Sequence, residues 1–106
     1  MLGEVANTIS KLAKNIQGDT IAVKVGLFVN HQVSGWMYLG SAEEIVNKKD
    51  TYEVAKKLFD NVNGYGRSIT YHNGFGYLIG VKEYRNYKDS PLYASVGGSF
   101  SVPSSW

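Results

Sequence analysis

His31 and His72 are the only side chains in this sequence suited to acid–base work near neutral pH. They could also ligate a metal, but such a site needs a third ligand. No Asp or Glu stands at a ligand-like spacing from either histidine. The chain has no cysteine, which removes thiolate ligands, disulfides and catalytic thiols. Glu43 and Glu44 are adjacent, and neighbouring residues diverge on a helix, so they do not form a catalytic carboxylate pair. They read as favourable charges at a helix N-terminus. Gly64-Tyr65-Gly66 and Gly74-Phe75-Gly76 are glycine pairs, yet neither opens a helix that could cradle a phosphate. Nucleophile-elbow, phosphate-loop and zinc-helix motifs are absent. These residue types predict no catalytic residue, no metal, no cofactor and no enzyme activity.

Tyrosine is the compositional anomaly. There are eight, and Tyr65, Tyr71, Tyr77, Tyr84, Tyr87 and Tyr93 all follow residue 64. Arg67, Lys82, Arg85 and Lys88 are interleaved with them and supply the whole net charge of +2. Tyrosine gives a large, stiff, amphipathic contact area, and Tyr and Arg are enriched at binding hot spots. The same pairing of ring and cation suits single-stranded nucleic acid. A nucleic-acid domain usually carries a stronger basic signature.

The elements that must position these residues are legible from periodicity. Leu2, Val5, Ala6, Ile9, Leu12, Ala13 and Ile16 recur at helical spacing and predict a helix over 2–17, stopped by Gly18. Residues 20–29 alternate Ile21, Val23, Val25, Leu27 and Val29 onto one face and read as a strand. Residues 33–39 read as its hairpin partner across Asn30-His31-Gln32. That register sets Val29 against Val33, Val25 against Met37 and Val23 against Leu39. The opposite face then carries Lys24, Phe28, Trp36 and Tyr38, with Gly26 opposite Trp36 so that an indole ring covers it.

Ser41-Ala42-Glu43-Glu44 fits a capping box and predicts a short helix. Asp50-Thr51-Tyr52-Glu53 repeats the device before a second helix that turns Val54, Leu58, Phe59 and Val62 inward and ends near Asn63-Gly64. Residues 67–72 and 77–84 read as a second hairpin. A three-residue loop from Asn73 to Phe75, with Gly76 as a bulge, brings Ile69, Tyr71, Tyr77, Ile79 and Val81 onto one face. Residues 85–106 read as an edge hairpin, 92–96 against 99–102, or as a partly ordered tail.

The expected fold is α+β and a single domain over 1–106. Two β-hairpins join in a mostly antiparallel sheet, with the N-terminal helix and a central helical segment on one face. The expected binding face gathers Phe28, Trp36, Tyr38, Arg67, Lys82, Tyr84, Arg85 and Tyr87, centred on Trp36, Tyr38, Tyr84 and Arg85. An exposed aromatic patch of that kind marks an interface. The favoured function is a non-catalytic binding protein that occupies another macromolecule, a protein partner first. A small inhibitor of host machinery, such as a phage or mobile-element anti-defence protein, is that kind of molecule. Alternatives are a nucleic-acid-binding module using the Tyr/Arg surface, and a structural or self-assembling homo-oligomer. No apolar run is long enough to span a membrane, and a cysteine-free chain suits the cytoplasm.

Overall fold

The computed structural model describes residues 1–86 and 90–106. Helix α1 (Leu2–Ala13) leads into strands β1 (Thr20–His31) and β2 (Gly35–Asn47). A 3-10 turn (Lys48–Asp50) opens helix α2 (Thr51–Asn63), which a second 3-10 turn (Gly64–Gly66) follows. Strands β3 (His72–Glu83) and β4 (Leu92–Val96) complete a four-stranded sheet in the order β2-β1-β3-β4. Every neighbouring pair is antiparallel. The fold is α+β, with both helices on one face of the sheet.

Burial explains that face. The odd-numbered residues of β1 and β3 alternate inward: Ile21, Val23, Val25 and Leu27 beside Tyr77, Ile79 and Val81. Val5, Ala6, Ile9 and Ala13 of α1 pack on them, with Ala55, Leu58 and Val62 of α2. The stripe of α1 runs on to Ile16, but the helix ends at Ala13. There the N–H groups of Asn15 and Ile16 bond back three residues, to Leu12 and Ala13, and the last turn tightens.

Four expectations about the sheet need correction. First, β1 and β2 are longer than predicted and turn at Gln32–Ser34, so Val29 faces Met37, while Val33 sits exposed at the tip. Second, Ser41–Glu44 is strand rather than helix. Ala42, Glu44 and Val46 pair with Val25, Val23 and Ile21, after a bulge at Leu39 that lets Leu27 meet Gly40 and Phe28 meet Tyr38. A helix there would leave the first half of β1 without a ladder on that side, and main-chain pairing outweighs a local capping pattern. Third, residues 67–72 do not form a hairpin with 77–84. The α2 crossover lays β3 beside β1, with Val25 opposite Ile79, and Asn73–Gly76 lie within β3. Tyr71 points into solvent at φ 56 instead of facing the core. Fourth, β4 pairs with β3, Ile79 opposite Ala94, and residues 99–102 form no strand.

Candidate binding surface

The face of the sheet away from the helices is built on glycine. Gly26 in β1 and Gly76 and Gly80 in β3 all point their missing side chains to that side, beside Lys24, Phe28 and Leu78. Phe28 and Leu78 are nonetheless buried, at 6% and 2% exposure. The cover comes from the last residues of the chain. Phe100 stacks on Phe28 with centroids 4.4 Å apart and planes 8° from parallel. A Cβ placed on Gly76 would lie 2.2 Å from the Phe100 ring, so only glycine admits the ring at that depth. Trp36 closes the seat edge-on to Phe100 at 4.7 Å.

Trp106 fills a second seat farther along the same groove. A Cβ on Gly26 would stand 2.5 Å from its indole ring, and one on Gly80 would stand 3.4 Å away. An indole therefore does cover Gly26, but it belongs to Trp106, and the strand neighbour of Gly26 is Ser41 rather than Trp36. The Trp106 indole N–H donates to the Tyr38 hydroxyl at 3.0 Å, and that hydroxyl bonds to the Ser41 hydroxyl at 2.9 Å. Lys24 Nζ sits 4.5 Å from the ring centroid, within cation–π range. Tyr93 flanks the indole at 6.1 Å, and a shallow cleft opens beside it among Lys24, Glu43 and Lys82.

The residues expected to form one binding face are dispersed. Phe28, Trp36 and Tyr38 do share a face, Phe28 beneath the chain's own Phe100 and the other two partly open. Lys82 lies on the same side, opposite Ala22. Tyr84 and Arg85 follow β3, where the Tyr84 N–H bonds the Thr20 carbonyl. Trp36 stands opposite Asn30, so ten residues of β1, about 33 Å, separate the two ends. No common centre of Trp36, Tyr38, Tyr84 and Arg85 forms. Arg67 is exposed just past the Gly64–Gly66 turn, on the helix side, where Gly66 abuts Leu27 and Phe75. Tyr87 lies outside the described residues. Sequence reading missed Phe100 and Trp106, whose signal was a pair of large rings in an otherwise Ser-rich stretch.

The histidines meet across the sheet, His31 opposite His72. Each ring nitrogen Nδ1 accepts main-chain N–H groups of its own turn. His31 takes those of Val33 and Ser34 at 3.2 and 3.4 Å, and His72 takes that of Gly74 at 3.1 Å. Their visible work is turn geometry. Among the described residues no group of three or more His, Asp or Glu is placed to hold a metal ion. Burial pushes the Tyr77 phenol above its ordinary pKa, and its hydroxyl bonds Asn63 of α2. Among the described residues no helix is long and apolar enough to cross a membrane. The chain matches no known protein family, no curated protein and no solved structure.

Proposed function

We propose that this chain is a non-catalytic binding protein that acts by occupying a protein partner, and that the partner adds an extended strand along the free edge of β2. The edge itself carries the reading. Among the described residues β2 pairs on one side only; it runs for 13 residues and holds Trp36, Met37, Tyr38 and Ile45 at 36–51% exposure. An edge strand offers unpaired N–H and C=O groups that an incoming strand completes. Folded proteins usually blunt such edges with charge or proline. Residues 35–42 contain neither; the ladder is interrupted by the bulge at Leu39, and the Tyr65 hydroxyl donates to the Ser41 carbonyl at 3.4 Å. The opposite edge, β4, is only five residues long. Aromatic side chains next to an open ladder give stiff contact area at low entropic cost. Binding of this kind masks the partner's surface, which is how a small inhibitor works.

The test compares tagged wild type with a doubly charged edge variant, Met37→Lys with Ile45→Lys. Both are used for capture from native lysate with quantitative mass spectrometry, after a thermal melt shows that the variant folds. The expected result is a protein enriched by wild type and reduced about tenfold or more with the variant. Equal enrichment by both would remove β2 as the docking edge. No enrichment by wild type would remove the binding reading itself.

A further inference from the structure

We propose that the glycine-floored groove on the far face of the sheet is a peptide-binding site with two ring sockets, and that it also accepts residues 98–106 from a second copy of this chain. This goes beyond docking at the β2 edge and does not rest on it.

Three observations carry the proposal. The sockets are made by the strands and not by the segment that fills them. Their floor is Gly26, Gly76 and Gly80, and their walls are Phe28, Trp36 and Tyr38. The segment is held by side chains. Among the described residues no main-chain hydrogen bond ties 98–106 to a strand, and the Trp106 N–H bonds Pro103 within the segment. Its anchors are the Phe100 stack, the Trp106 seat and the indole N–H to Tyr38. Finally, the segment joins β4 through Gly97 and Gly98. Gly97 has φ +84, a left-handed backbone that glycine adopts without strain.

A segment fixed only by side chains and joined through a glycine pair can leave without breaking the sheet. The ligand chemistry is shown by the occupant: a peptide with two aromatic rings six positions apart, a turn closed by the Trp106 N–H on the Pro103 carbonyl, and a second ring able to donate an N–H. A second copy offers that chemistry unchanged, and mutual exchange of the segment gives a closed, two-fold dimer. The tethered segment competes at a local concentration on the order of millimolar, which keeps dilute chain monomeric.

The test uses the full chain with Phe100→Ala and Trp106→Ala, which empties both sockets and keeps their walls. A fluorescein-labelled peptide of residues Gly98–Trp106 is titrated and followed by anisotropy, with a melt to show that the variant is folded. Saturable binding is expected, at least about tenfold tighter than to wild type, whose own segment competes. A peptide with alanine in place of both rings is expected not to bind. A folded variant that leaves the peptide free at about 1 mM overturns the proposal, as does equal binding of the ring-less peptide. If the double variant does not fold, the single variant Trp106→Ala is titrated with a peptide of residues Ser101–Trp106. Saturable binding then supports the proposal. No binding, or loss of the fold on removing Trp106 alone, overturns it.

Discussion

Replacing Gly26 by alanine adds one methyl group at the most crowded point of the far face. Gly26 sits mid-strand, outside the left-handed region, so alanine fits its backbone. On backbone grounds alone the change would stabilise the chain by about 0.4–1 kcal/mol, through lower entropy of the unfolded state. The structure predicts the opposite sign. The new Cβ would stand 2.5 Å from the Trp106 ring, well inside contact distance, and two further ring atoms lie at 3.3 and 3.4 Å. The indole must therefore leave its seat, and overpacking of this kind costs about 1–3 kcal/mol. The net is a loss of about 1–2 kcal/mol, a fall in Tm of roughly 5–15 °C for a domain of this size. The assay is a thermal melt together with tryptophan emission, in a Trp36→Phe background where Trp106 is the sole emitter. Emission is expected to move toward that of a solvated indole while the far-UV spectrum stays native. An alanine variant that melts at or above its parent with unchanged emission would refute the seating of Trp106 over Gly26.

Ile79→Ala removes a fully buried side chain from the middle of β3, between Val25 and Ala94, and is expected to cost about 2–5 kcal/mol in a urea titration. A wild-type midpoint would contradict that register. Gly3→Ala adds a methyl group where nothing lies within 4 Å, inside α1, and is expected to stabilise the chain by about 0.5–1 kcal/mol, read as a higher Tm. Tyr77→Phe tests the phenol whose pKa burial raises. The folded chain holds that proton to higher pH than the unfolded chain, so the stabilisation is complete below about pH 10 and lost as pH rises through the folded pKa. Wild type is expected to be more stable than the variant by roughly 1 kcal/mol near pH 8 and to lose that lead in alkali, measured as paired urea midpoints. A lead that is constant with pH would show that Tyr77 titrates like a free phenol.

The side of the sheet that each residue faces was easier to read than its neighbours. Val23, Val25, Tyr77, Ile79 and Val81 all point inward as their period-two alternation requires. The first hairpin is a case of error without consequence for face. Val29 meets Met37 rather than Val33, a slip of four positions, and an even slip leaves Trp36 and Tyr38 beside Phe28. Partner choice is a different matter, because it depends on elements far apart in the chain. The capping pattern at Ser41–Glu44 is a true local preference, overridden by the unpaired half of β1. The pairing of β3 with β1 follows from where α2 delivers the chain, which no nearby residue encodes. The sockets were hidden for a similar reason. Gly26, Gly76 and Gly80 come together only once β1 and β3 pair, and Phe100 and Trp106 share no period with anything around them.

The groove also has an order of assembly in time. Every strand beneath residues 98–106 precedes them in the chain, so during synthesis the sheet is translated before its cover. The β1–β2 hairpin is local and closes quickly, whereas joining β3 to β1 must first close a loop of some forty residues between His31 and His72. Once β1 and β3 have paired, and until Phe100 is seated, Phe28 has no ring above it and the nascent chain presents an apolar, glycine-lined surface. That species is the one on which a chaperone or a neighbouring nascent chain would act. The covering segment follows the sheet in the chain, so its two rings take their seats on strands already synthesised.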